Sequence, residues 1–235
     1  MRVLLVQNCE VEGFGLYGEH LRANRIDHVV HHAYRGRGLP EMEGFDAFIA
    51  GGTPLSANAV ERHAFLKDEL ALLERVVRSG RPFLGVCFGG QLLARVLGAG
   101  VRRSPAREIG GAEVELTPEG RASPLLRGFP DRLPVFQWHA DAFDVPGGAS
   151  LLARGTDCPI QAFGKARAFG LQFHLETTAD EAAVWADEYE AELAALGRSK
   201  QEVVRECRER EGAMGPLAHR LMDNFLGMAR GRGPG

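Results

Sequence analysis

Apolar and polar positions along the 235-residue chain keep two rhythms. Over the first hundred residues, short strand-like runs, most of them largely apolar, alternate with segments whose apolar residues recur every three or four positions. Residues 2–7, 27–32, 45–50 and 81–87 are runs of the kind that form strands buried on both faces. Residues 16–24 and 59–79 predict helices. In the second, Phe65, Leu66, Leu70, Leu73, Val76 and Val77 repeat at helical spacing, and Gly80 supplies the stop. A further amphipathic run starts near Gly89. This alternation predicts an α/β fold with a mostly parallel central sheet flanked by helices.

Beyond residue 100 the texture changes. Runs at 108–117, 133–138, 150–153, 159–163 and 168–173 are broken by Pro and Gly, with no long helical period between them. They predict antiparallel strands and hairpins, a small β extension of the sheet. Helical spacing returns at 179–196, 200–211 and 216–229. No internal repeat or low-complexity linker divides the chain. The expectation is one domain over residues 1–230, with a flexible tail at 231–235.

Composition narrows the function classes. A net charge of −3 argues against nucleic-acid binding driven by bulk electrostatics. No apolar run approaches the roughly 18 residues of a membrane span, and the apolar start at Met1 is too short for a signal peptide. Cys9, Cys87, Cys158 and Cys207 are widely spaced, which argues against a zinc site or a disulfide framework and suits the cytoplasm. Neither a metal nor a cofactor is expected.

The chemistry concentrates at Gly85-Val86-Cys87-Phe88-Gly89-Gly90-Gln91. An apolar strand turns into an amphipathic helix with a cysteine at the apex, and glycines two positions to either side relieve the crowding. That is nucleophile-elbow logic with sulfur as the nucleophile, and the following helix N-terminus favours thiolate. Such a sulfur needs a base, and the base an orienting group. Phe169-Gly170-Leu171-Gln172-Phe173-His174-Leu175-Glu176 supplies both: a strand whose C-terminal end reaches the sheet edge, then His174 and Glu176 two residues apart.

Together these two stretches resemble the class I (triad) glutamine amidotransferase family, whose signatures are G-x-C-x-G-x-Q and F-H-P-E, and within it the stand-alone GMP-synthase-like members. The likeness covers nearly the whole chain and implies a flavodoxin-like fold. It implies Cys87, His174 and Glu176 as catalytic triad and attack on the γ-carbonyl of glutamine or a γ-glutamyl compound. A γ-glutamyl thioester and released ammonia or amine would follow; either the ammonia passes to a separate synthase subunit, or the protein hydrolyses or transfers γ-glutamyl groups by itself. Gly51-Gly52 falls at the family's oxyanion loop, so the backbone N–H groups of Gly52 and Phe88 are the expected oxyanion donors. Gln91 is expected to hold the glutamyl part. Trp138-His139-Ala140-Asp141 resembles the family's H-G-D stretch, which makes His139 and Asp141 substrate-binding candidates. Leu175 stands where the family usually has Pro, an expected loosening of the local backbone. It is the one feature favouring a silent ligand-binding or regulatory subunit of the same fold.

Gly13-Phe14-Gly15-Leu16-Tyr17-Gly18 matches the dinucleotide fingerprint G-x-G-x-x-G. It starts too far from the first strand, and His31-His32-Ala33-Tyr34 offers no acidic residue for a ribose, so no nucleotide site is expected there. Cys9, Cys158 and Cys207 are read as inert, His28, His31 and His32 as strand residues, and Arg102, Arg103 and Arg107 as solvated surface.

Overall fold

The computed structural model describes residues 1–231; residues 232–235, most of the expected tail, lie outside the described residues. In chain order the strands are β1 (Arg2–Gln7), β2 (Asp27–His32), β3 (Ala47–Ala50), β4 (Phe83–Val86), β5 (Val101–Leu116), β6 (Arg132–Phe143), β7 (Ser150–Arg154), β8 (Ala162–Lys165) and β9 (Ala168–Leu171). The helices are α1 (Gly15–Ala23), α2 (Ala64–Ser79), α3 (Phe88–Val96), α4 (Pro118–Ala122), α5 (Ala179–Glu188), α6 (Glu190–Ala195) and α7 (Lys200–Arg230).

The strands form one sheet in the order β2-β1-β3-β4-β9-β8-β7-β5-β6. The first five are mutually parallel and the remainder antiparallel, as the two rhythms predict. Side chains alternate across the parallel half. Val3, Leu5 and Ile49 join the core under α1, α5 and α7. Leu4, Val6 and Phe48 join the core under α2 and α3. Covering both faces is why β3, β4 and β9 are apolar throughout and β1 nearly so, while the edge strand β2 (DHVVHH) stays partly exposed.

Several boundaries differ from expectation. The helix predicted from residue 59 begins as a 3-10 turn over Ala57–Arg62, and α2 starts only after His63, which is extended (φ −128°, ψ 115°). The helix predicted over 179–196 breaks at Tyr189 (φ −108°, ψ 31°) into α5 and α6. The two helices predicted at 200–211 and 216–229 are one helix, α7, which runs through Pro216. A proline inside a helix costs about 3 kcal/mol. Buried Met214, Ala218, Leu221 and Phe225 on either side of it join the core that also contains residues of α1, α5, β5 and β6, and that packing outweighs the break. β5 is longer than predicted because it continues through a register irregularity between Arg103 and Glu108. Of the three arginines read as solvated surface, Arg102 and Arg103 are exposed and lie beside Asp144 and Asp141, while Arg107 is partly buried near Glu192.

Candidate active site

The parallel strands end at a cleft of about 120 Å³ whose walls include Cys87, Phe88, Gln91, Trp138, Asp141 and Tyr189. Cys87 occupies the step between β4 and α3 with φ 51° and ψ −108°. A non-glycine residue in that region stores about 1–3 kcal/mol of strain, held only where the surroundings over-determine it. Here they do. The Cys87 N–H donates to the Leu171 carbonyl at 2.7 Å, and the Gln91 N–H closes the first helical turn on the Cys87 carbonyl at 3.0 Å. The flanking glycines are required by contact. A Cβ on Gly85 would lie 2.3 Å from the Gly89 carbonyl, and one on Gly89 would lie 2.3 Å from the Ala50 carbonyl oxygen.

His174 follows β9 and is pinned by a two-way bridge to β6: its N–H donates to the Phe136 carbonyl at 2.8 Å and its carbonyl accepts from Phe136 N–H at 3.0 Å. Its Nδ1 bonds Glu176 Oε1 at 2.5 Å, and the ring is hydrogen-bonded to Cys87. The Gln172 amide also donates to the Cys87 sulfur, at 3.6 Å. Burial alone would push the His174 imidazole down. The Glu176 carboxylate and the bond to Cys87 overturn this and hold it well above the usual histidine range. Cys87, His174 and Glu176 thus form one buried hydrogen-bonded chain.

Leu175 does not loosen this chain. It is fully buried, and its backbone N–H donates to Glu176 Oε2 at 3.1 Å, a bond no proline could make. The glycine run also has a purpose that the sequence reading missed. The N–H of Leu16 donates to the Glu176 carbonyl at 2.9 Å, and a Cβ on Gly15 (φ +36°) would lie 2.1 Å from that oxygen. Gly13 to Gly18 lets the start of α1 touch the backbone of Glu176. The run also lines a second cleft of about 360 Å³. There the amide of Gly15 is bonded to the Glu181 carboxyl and that of Leu16 to Glu176, so the helix start presents a carboxyl where a phosphate would have to sit.

The remaining candidates sort by geometry. Gly52 stands at the end of β3 beside the His174 ring, and Phe88 follows the sulfur directly. The Gln91 amide donates to the Asp141 carbonyl at 3.0 Å. The Asp141 carboxylate accepts from Ser56 Oγ at 2.7 Å and pairs with Arg103 at 3.4 Å. Both ring nitrogens of His139 are engaged, Nδ1 with the Asp141 carbonyl at 3.1 Å and Nε2 with Glu108 Oε2 at 2.9 Å. His139 therefore shapes the wall and holds the Asp141 segment in place.

Glu108, His139 and Cys158 bring donor atoms within 4.8 Å of one another, a set that could hold a cation. Glu108 already accepts from His139 and from the Gln161 amide at 2.8 Å, and burial pushes the Cys158 thiol up, away from the ligating thiolate. The set reads as a hydrogen-bond network.

Two buried carboxyls escaped the sequence reading. Glu69 on α2 accepts from the Asn8 amide at 3.2 Å; the same amide donates to the Gly51 carbonyl at 3.3 Å. Burial pushes Glu69 up to about 8. Glu12, on the loop between β1 and α1, lines the cleft and accepts from the Tyr189 hydroxyl at 2.8 Å. Lone acidic residues in a loop and on a helix face carry no periodic signal, and Tyr189, which meets Glu12, stands at the junction of α5 and α6.

An α/β sheet with a triad-backed cysteine on a sharp strand-to-helix turn defines a cysteine hydrolase of the elbow type. The family model for glutamine amidotransferase class-I matches residues 21–187, and the chain belongs to that family, whose activity is hydrolysis of the glutamine amide. It is 38% identical over 168 residues to the glutamine-hydrolysing GMP synthase of Aeropyrum pernix, a match spanning 71% of this chain and 29% of that protein. It is 36% identical over 138 residues to one subunit of the glutamine-hydrolysing GMP synthase of Methanoculleus marisnigri, covering 57% of this chain and 67% of that one. A crystal structure of a Thermotoga maritima glutamine amidotransferase superposes with a TM-score of 0.90 at 32% identity, over 96% of this chain and 98% of that one. Among the described residues no helix is long and apolar enough to cross a membrane.

Proposed function

We propose that the chain hydrolyses the side-chain amide of glutamine through a γ-glutamyl thioester on Cys87. The observation that carries this reading is the buried chain Cys87–His174–Glu176 opening onto one cleft. The sulfur attacks the γ-carbonyl carbon with its proton resident on His174. The carbonyl π pair moves to oxygen, where the N–H groups of Gly52 and Phe88 meet it. As the tetrahedral intermediate collapses the C–N bond breaks, and His174 gives its proton to nitrogen. Water then attacks the thioester, His174 takes the water proton, and glutamate leaves with the sulfur restored. Gln91 and Asp141 hold the amino-acid end.

The small cleft favours a ligand of amino-acid size over a bulky γ-glutamyl conjugate, since ordinary ligand sites run to about 300–1,000 Å³. We read the ammonia acceptor as bound by a separate synthase subunit. The name of the Methanoculleus relative, which is one subunit of its enzyme, suggests that division. A cytoplasmic setting suits four free cysteines. The reading as a silent subunit loses its support, because Leu175 tightens Glu176.

The test incubates purified protein with glutamine, assays ammonia, and looks for a γ-glutamyl adduct on Cys87 by quenched-flow mass spectrometry. Cys87→Ser is expected to lower turnover at least about 10⁴-fold. No ammonia and no adduct from the parent protein would sink the proposal.

A further inference from the structure

The cleft contains a carboxyl that the triad does not use. Glu12 is 8% exposed, and it accepts from the Tyr189 hydroxyl and the Cys9 thiol. Its Oε2 lies 2.1 Å from the point where a Cβ on Gly52 would stand, and the same point is 3.8 Å from Cε1 of His174. Carboxyl and imidazole therefore face one glycine from two sides. Beside them the Trp138 ring packs 5.7 Å from Tyr189, and its buried indole N–H has no partner among the described residues. This end of the cleft offers one carboxyl acceptor. Gln91, Asp141, Ser56 and Arg103 are hydrogen-bonded to one another elsewhere along the same cleft.

A substrate with its amino-acid part at Gln91 and its carbonyl carbon at Cys87 must place the leaving atom beside His174, which protonates it. That is the side on which Glu12 lies. We infer that Glu12, with Tyr189 holding its other oxygen, forms a leaving-group subsite that accepts the N–H of the departing nitrogen and so selects amides over esters. The inference rests on the glutamine-hydrolysing reading of this cleft. In the step concerned the C–N bond breaks, its electron pair stays on nitrogen, and the proton comes from His174. Glu12 accepts a hydrogen bond and transfers nothing. An amide nitrogen carries its own N–H throughout bond cleavage, whereas an ester oxygen carries no hydrogen. Glu12 is largely shielded from water, so a donor arriving from the substrate meets an acceptor that solvent does not satisfy.

The experiment compares L-glutamine with γ-glutamyl methyl ester on the full chain, for the parent, Glu12→Leu, Glu12→Gln and Tyr189→Phe. Glu12→Leu is expected to lower kcat/KM on glutamine by about tenfold or more and to leave the ester rate within about threefold of the parent. Glu12→Gln, which keeps an acceptor oxygen, falls between, as does Tyr189→Phe, which leaves the carboxyl in place but unanchored. These two variants serve where Glu12→Leu does not fold. Equal losses on amide and ester, or no loss on either, overturn the subsite. A parent protein inactive on both substrates sinks the glutamine-hydrolysing reading itself, an outcome distinct from parallel losses in an active one.

Discussion

The site has two walls built on opposite plans. One, with Cys87, Phe88 and Gln91 lining the cleft and His174 and Glu176 buried outside its lining, comes from two short contiguous stretches, each at the C-terminal end of a parallel strand. The other, with Glu12 and Tyr189 lining the cleft and Asn8, Gly52 and Glu69 buried outside its lining, is drawn from widely separated parts of the chain. On the first wall the backbone is strained at Cys87 and the side chains of Cys87, His174 and Glu176 form a hydrogen-bonded chain. On the second, burial pushes both carboxyls, Glu12 and Glu69, up, and each is held by a neighbour's donor. The difference separates two tasks. The nucleophile and its base depend on local backbone geometry, which a few residues can encode. Reading the leaving group and bracing the oxyanion loop depend on surfaces brought together by the sheet.

The largest expected effect lies on the first wall. Glu176→Gln removes the charge that keeps His174 protonated and oriented, and kcat for glutamine should fall by about 10³–10⁴-fold while KM changes little. A loss below about tenfold in steady-state kinetics would mean that the bond from Glu176 to the ring carries no catalytic weight. Next comes Gly52→Ala, where the two walls meet. The added methyl would lie 2.1 Å from Glu12 Oε2, so the carboxyl or the oxyanion loop must shift. We expect kcat to fall by about 10²–10³-fold with folding retained by circular dichroism, the size of one lost oxyanion donor. A rate near the parent's would show that the second wall only packs.

The smallest effect is on stability. Glu69 keeps its proton up to about pH 8 in the folded chain, against a value of 4.5 for an unperturbed carboxyl. Between those values the folded chain binds more protons than the unfolded one, so stability falls as pH rises, by up to about 1.4 kcal/mol per unit. Gln at position 69 does not titrate and still accepts from Asn8. Thermal melts of Glu69→Gln against the parent should nearly coincide at pH 5 and separate toward pH 8, with the variant the more stable. A gap that does not change with pH would contradict the buried-acid reading.

Much of the first wall was legible in the sequence. The flanking glycines of Cys87 and the two-residue spacing of His174 and Glu176 are local patterns, and the structure brings these three residues together. Leu175 shows the limit of such reading: the position suggested looseness, yet the backbone N–H it supplies reaches Glu176. Gly13 to Gly18 shows it again. The motif signals a close approach, and only the fold reveals that the approaching group is the chain itself at Glu176.

By itself the sequence determined the alternation of strands and helices, the turn that lifts the sulfur and the identity of its partners, because side-chain period and steric freedom at glycine act over a few residues. The tertiary structure alone decided that α7 runs through Pro216, that the helix breaks at Tyr189, that Glu12 lies buried at the cleft and that Glu69 lies buried against Asn8. Those outcomes depend on the free energy of packing and desolvation summed over segments far apart in the chain, which no local pattern records.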